Sequence, residues 1–200
     1  MAQYTPIILP NAKGLDYHIQ ALQVRMYNKL LEIWGITEQQ YNCFGRAYRN
    51  NYGEGYLPEF YDPTLGKYVD SSKRNNKGGL FFNDQLAAMS FFGLVDPIKV
   101  DNGESTAKLQ LLFFVNLDKI NPGGITDAQG QRLDDVAVQD VQNYIQSNGN
   151  NFTVHAIYKD MDKVLERYSG TLKNRAIVDD MHPKFCFRID LELRYISLLN

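Results

Sequence analysis

Four charged side chains alternate with apolar ones on a strand predicted near the carboxyl end of the chain. They are Arg188, Asp190, Glu192 and Arg194. Side chains two positions apart share one face of a strand, so Asp190 and Glu192 could bind a divalent ion, as carboxylates do in metal-dependent nucleases or hydrolases. Such a site needs a further acidic ligand and usually a lysine, which Arg194 does not replace. The regular alternation favours a structural interpretation, in which the charges lie on a solvated strand face and pair across to a neighbouring strand while the apolar side chains pack inward.

The histidines and cysteines show none of the spacings that metal or nucleophile chemistry requires. His18, His155 and His182 fall in different predicted elements and form no pair with ligand spacing. Cys43 and Cys186 are far apart, lie in no Cys-x-x-Cys motif and are expected to be reduced. The sequence also holds no nucleophile elbow, phosphate-binding loop or dinucleotide fingerprint. We therefore predict no catalytic residue, no metal site and no cofactor.

Aromatic side chains are concentrated in one segment that follows the first predicted helix. Residues 41–80 carry six Lys or Arg against four Asp or Glu, whereas the whole chain has a net charge of −2. Rings interleaved with cations suit a protein interface, a small core beneath a long loop, or the stacking of single-stranded bases by Tyr48, Tyr52 and Arg49. The acidity of the whole chain favours the interface. The candidate interface rings are Tyr41, Phe44, Tyr48, Tyr52, Tyr56, Phe60 and Tyr61.

Two further segments are candidates for contacts with a partner. A basic loop tip carries Lys73, Arg74 and Lys77, which we expect to meet an acidic protein surface or DNA. The amino-terminal arm holds the apolar run Ile7, Ile8 and Leu9 between two prolines. This run could pair with a sheet edge of another subunit, and it could equally pack on its own domain.

Length and composition predict one ordinary globular domain. The chain has 200 residues, of which 44% are hydrophobic and 22% charged, so it can bury a sizeable core. The slight net acidity argues against a protein that coats nucleic acid or an anionic membrane. Neither a secretory signal nor an apolar stretch of membrane-spanning length is recognisable, so we expect a soluble protein made in the cytoplasm.

The periodicity of the apolar residues predicts an α+β fold, a mostly antiparallel sheet with helices packed on one face. One helix is predicted over residues 15–34, and a capping box formed by Thr37 and Gln40 predicts a second over residues 38–50. Strands are predicted at 79–82, 90–100, 107–117, 152–158 and 185–196, with helices at 133–145 and 160–168. The single domain divides into an arm (1–13), helices (14–50), a loop excursion with at most one small hairpin (51–79) and a helix-on-sheet core (80–200).

The arm, the segment NYGEGYLPEFY at residues 51–61 and the small sandwich over residues 80–195 together resemble a known class of proteins. They are similar to tailed-bacteriophage head-to-tail neck proteins of the ring or tail-terminator type, most of all to structural proteins of crAss-like phages. The resemblance implies a homo-oligomeric ring between portal and tail, without catalysis, whose loops grip adjacent ring or tail proteins. It also implies localisation in the virion after assembly in the host cytoplasm, and DNA that passes nearby without specific binding.

Overall fold

The computed structural model describes residues 6–51, 56–63, 65–70, 85–124, 132–168 and 182–196. Its α-helices are α1 (Leu15–Trp34), α2 (Leu133–Asn148) and α3 (Met161–Val164). Its strands are β1 (Tyr41–Asn51), β2 (Tyr56–Asp62), β3 (Lys67–Asp70), β4 (Ala88–Leu94), β5 (Lys99–Asp101), β6 (Glu104–Asn116), β7 (Phe152–Tyr158) and β8 (Lys184–Ile196). None of the described helices combines the length and apolar character needed to cross a membrane.

The strands form one sheet in the order β3, β2, β1, β4, β6, β8, β7, and β5 extends it as a hairpin with β6. Among the described strands β1 runs parallel to β4, and the other neighbouring pairs are antiparallel. The centre of the sheet is the long β6 and β8 pair, in register from Glu104 opposite Ile196 to Asn116 opposite Lys184. The predicted α+β class is therefore confirmed.

Helices α1 and α2 cover one face of the sheet, as the sequence predicts. The buried stripe of α1 runs from Leu15 to Trp34, and the helix ends where Gly35 adopts a left-handed conformation with φ 62°. The Trp34 indole N–H donates to Oδ2 of Asp140 on α2 at 2.9 Å, which joins the two helices. The main core lies between these helices and the alternate side chains of β4, β6 and β8.

The opposite face of the sheet is not bare, which corrects the expectation that helices pack on one face only. Short α3 and the turn after it place Met161, Val164, Leu165 and Tyr168 against the other set of alternate side chains on β4, β6 and β8. Strand β6 is thus covered on both faces over its apolar half, which explains its nearly continuous run of buried residues.

The helix predicted over residues 38–50 is wrong. A short 3₁₀ turn at Glu38–Gln40, with the Thr37 N–H donating to Oε1 of Gln40 at 2.9 Å, leads directly into β1. A bulge between Cys43 and Arg46 interrupts the alternation of this strand. It puts Phe44 and Ala47, which are three residues apart, in the same smaller core, and that spacing also suits a helix.

The loop excursion predicted over residues 51–79 is only partly a loop. Strand β2 pairs with the end of β1 on one side and with β3 on the other, so this segment extends the sheet as the predicted small hairpin. We call the end of β1 from Tyr48 to Asn51, together with β2 and β3, the wing. Residues 52–55, 64 and 71–84, including the strand predicted at 79–82, lie outside the described residues.

Candidate interaction surface on the wing

Three of the seven predicted interface rings are core side chains. Tyr41 is fully buried and its hydroxyl lies 2.8 Å from the Ser90 hydroxyl oxygen. Phe44 and Phe60 are also buried, with ring centres 4.3 Å apart, and Phe60 makes an edge contact with Phe91. The small-core interpretation therefore holds for Phe44 and Phe60, which anchor the wing to the sheet, whereas Tyr41 belongs to the main core beneath α1.

The wing presents other tyrosines to solvent. Tyr61 and Tyr68 lie directly opposite each other on β2 and β3, with ring centres 5.7 Å apart. The ring of Tyr48 on β1 contacts that of Tyr68 at 4.7 Å, and Tyr48 is 49% exposed. We call Tyr48, Tyr61 and Tyr68 the tyrosine cluster. Because these rings pack edge to face against one another, they form a continuous, partly solvent-exposed aromatic surface.

A partly buried ion pair fixes the base of the tyrosine cluster. The Arg46 guanidinium donates two hydrogen bonds to the Asp16 carboxylate, at 2.7 and 2.8 Å. Burial lowers the pKa of Arg46, but the Asp16 contacts outweigh it, so the pKa is raised and the group stays charged. Its carbon Cζ lies 5.4 Å from the centre of the Tyr48 ring, within the range of a cation–π contact. Helix α1 thus positions the ring that β1 exposes.

The reverse side of the wing carries a second aromatic and cationic pair. Arg49 lies over the ring of Tyr56, with Cζ 4.9 Å from the ring centre, and Tyr56 is exposed. Consecutive strand residues point to opposite faces, so Tyr48 and Arg49 face different sides of the sheet. A single strand of nucleic acid therefore cannot contact both on one surface. Tyr52, the third residue of that hypothesis, lies outside the described residues.

The amino-terminal arm packs on its own chain, between α1 and β1. The Ile7 N–H donates to the Cys43 carbonyl at 3.0 Å, and Ile7 adds to the smaller core. The Gln20 side chain accepts from the Leu9 N–H at 2.8 Å. Ile8 lies between them and is exposed. Of the two possibilities left open by the sequence, the described arm residues adopt the second.

The charged strand is less exposed than its alternation suggests. The side chain of Arg188 is 2% exposed, donates to Glu166 Oε1 at 2.9 Å and to the Lys163 carbonyl, and stacks on the Tyr158 ring at 4.2 Å. Asp190 accepts from Arg188 at 3.3 Å, and burial raises the pKa of its carboxyl although the guanidinium lowers it. Arg188 is therefore a structural cation beneath the α3 turn, and the expected solvated face is wrong at this position.

The two carboxylates proposed as metal ligands are each held by a cation. Asp190 faces Arg188, and Glu192 pairs with Arg194 at 3.0 Å and lies 3.8 Å from His155. Within the described parts of the chain, no three His, Cys, Asp or Glu side chains are grouped so that they could hold a metal ion. Both cysteines are buried thiols, and burial raises the pKa of the Cys43 thiol to about 11, which keeps it unreactive.

Sequence reasoning missed two features of this surface. Tyr68 completes the tyrosine cluster, and its place opposite Tyr61 depends on the antiparallel pairing of β2 with β3. Gln20 and Gln23 hold the arm, and their three-residue spacing within the first helix was an available signal. The basic tip residues Lys73, Arg74 and Lys77 lie outside the described residues.

Comparisons with models of protein families, with curated proteins and with solved structures gave no match.

Proposed function

We propose that the chain is a structural subunit that binds other protein chains through the tyrosine cluster. The single observation that carries this proposal is the partly exposed group of Tyr48, Tyr61 and Tyr68 on a wing that is anchored by Phe60. Tyrosine buries a large area at low conformational cost, and Tyr and Arg are enriched at the energetic centres of interfaces. No reaction is required of any of these residues.

The resemblance to phage neck proteins supports a more specific proposal. The assembly would be a homo-oligomeric ring between portal and tail, in the virion, with the portal and an adjacent ring or tail protein as further partners. A ring needs two different complementary surfaces on each subunit. The tyrosine cluster lies near one end of the sheet and β7 lies at the other, so the two ends present different surfaces.

Sedimentation velocity and light scattering over a range of concentrations test the proposal. We expect the wild-type chain to form a defined oligomer, and the Tyr48→Ala/Tyr68→Ala variant to dissociate at about thirtyfold higher concentration, the effect of losing about 2 kcal/mol at an interface centre. Tyr17→Ala is the matched control, because Tyr17 is also an exposed tyrosine but lies on α1. A wild-type chain that remains monomeric at its highest soluble concentration, or equal oligomers from the control and the double variant, would contradict the proposal.

A further inference from the structure

The contacts between the arm and its slot suggest what holds neighbouring subunits together. The slot is the groove between the first half of α1 and the bulged part of β1. Its contacts with the arm are made to the arm's backbone: Gln20 pairs with the Leu9 N–H and C=O, and the Gln23 amide donates to the Ile7 C=O at 3.2 Å. Any copy of the arm satisfies these groups equally well.

The slot requires an occupant. Gln23 is fully buried, and its amide bridges the carbonyls of Ile7 and Cys43, the second at 2.9 Å. Its Oε1 has no hydrogen-bond partner and lies among the residues that line a cavity of about 10 Å³. Without an arm in place, the Gln23 amide would lose one of its two acceptors, and an apolar strip of the smaller core would meet water.

The chain folds back on itself at the hinge between the arm and α1, and two hinge residues have a positive φ there. Leu9 lies beside Gln20 and Ile7 beside Gln23, so the arm runs antiparallel to the helix that follows it. This reversal occurs within residues 10–14, where Asn11 has φ 58° and Gly14 has φ 54°. A positive φ costs a residue with a side chain more than an extended conformation does, although Asn tolerates it better than most, so the folded-back hinge carries a modest cost at Asn11.

We infer that the arm is exchanged between copies of this chain, so that residues 6–9 of one subunit occupy the slot of its neighbour. Exchange preserves every contact in the slot and relieves the hinge, because Asn11 and Gly14 can then become extended. An extended hinge of five residues spans about 17 Å, which sets how far apart the helix of one subunit and the slot of the next can lie. This inference rests on the proposed self-assembly and names the segment that links its subunits.

A complementation experiment tests the exchange directly. In the arm variant, Ile7→Pro/Leu9→Pro, both backbone donors to the slot are removed while the slot remains intact. In the slot variant, Gln20→Ala/Gln23→Ala, the arm remains intact. Each chain alone has one defective partner, but the arm of the slot variant fits the slot of the arm variant. We expect a 1:1 complex by light scattering when the two are mixed, and none when either is mixed with itself.

A mixture that remains monomeric, with both variants folded by circular dichroism, overturns the exchange even if the wild-type chain assembles. The tyrosine cluster is tested separately, because Tyr48→Ala/Tyr68→Ala leaves the arm and the slot unchanged. If a slot variant does not fold, a pair of hinge variants gives the answer. We expect Asn11→Pro, which cannot adopt φ 58°, to raise the association constant about tenfold or more, and Asn11→Gly to lower it by a similar factor. Equal association by the two hinge variants overturns the inference.

Discussion

The centre of the sheet and the wing use the same aromatic side chains for different purposes. At the centre, Phe113 stacks on Phe187 with ring centres 5.0 Å apart and planes 3° apart, and both are fully buried beneath α1 and α2. On the wing, Tyr48 and Tyr68 meet edge to face, and Tyr48 remains half exposed. The two regions differ in what covers their strands, because helices α1 and α2 do not extend over the outer strands of the wing.

The comparison shows that an aromatic surplus has no single meaning. A ring between two covered faces stabilises the fold by removing its area from water, whereas a ring on a face without a helix above it has that area still available to a partner. Phe60 joins the two regions, since it belongs to β2 but packs in the smaller core with Phe44 and Phe91. The wing is therefore anchored on one side and presents the tyrosine cluster on the other.

Removing a ring from each region gives the largest expected contrast. Phe113→Ala should lower the free energy of unfolding by about 4 kcal/mol, because it leaves a cavity next to Phe187 and Trp34 that the sheet cannot fill. Tyr68→Ala should lower it by less than about 1 kcal/mol, because its ring contacts only the partly exposed Tyr48 and Tyr61 within the cluster. Urea unfolding monitored by circular dichroism measures both. Equal losses would mean that the wing is core, and the comparison would fail.

A charge removed beneath α3 should have the next largest effect. Arg188→Met keeps most of the side-chain volume but leaves Glu166 and Asp190 without their cation. Breaking a buried pair can cost 3 kcal/mol or more, but these carboxylates are partly exposed, so we expect a loss of about 2 kcal/mol in the free energy of unfolding. The control Arg194→Met removes an exposed guanidinium from the same strand and should change stability by about 0.5 kcal/mol or less. Similar losses from the two variants would show that Arg188 is not a structural cation.

These contrasts indicate which parts of the molecule the sequence could predict. Helix α1 was predicted with its observed bounds because its apolar stripe and Gly35 are local signals. The outward alternation of β8 was also predicted, but the burial of Arg188 depends on α3, which arrives from elsewhere in the chain. Strand β1 was predicted as a helix because Thr37 and Gln40 form a capping box, but that box opens only a 3₁₀ turn. The bulge that then brings Phe44 and Ala47 to one face of the strand lies where β1 pairs with β4. Local periodicity cannot reveal a shift that is fixed by pairing with another strand.

Prediction of the candidate site also depended on long-range contacts that local sequence patterns do not reveal. Tyr48, Tyr56 and Tyr61 were predicted as surface rings from composition alone, but composition could not separate them from Phe44 and Phe60. That separation depends on which of these rings lie in the smaller core, and this is fixed by the long-range packing of the sheet. Tyr68 was missed for the same reason, since its place beside Tyr61 depends on the register of β2 and β3.

The smallest expected effect compares two carboxylates on α2, one against the core and one at the helix rim. Burial raises the pKa of Asp140 above 3.8, although the Trp34 N–H lowers it. Burial also acts on Asp134, but the Arg132 hydrogen bond and the charge of Lys159 outweigh it and lower the pKa below 3.8. The folded state therefore binds a proton more tightly than the unfolded state at Asp140, and less tightly at Asp134.

The two positions should consequently respond to acid with opposite signs. Relative to Asp140→Asn, the wild-type protein should gain stability as the pH falls from 7 through the raised pKa of Asp140 towards 3.8. Relative to Asp134→Asn, it should lose stability as the pH falls below 3.8 through the lowered pKa of Asp134. Urea unfolding of the three proteins between pH 7 and pH 3 measures both differences, and other titrating groups cancel in each subtraction. Slopes of the same sign would mean that burial at Asp140 and the cations beside Asp134 do not distinguish the two carboxylates.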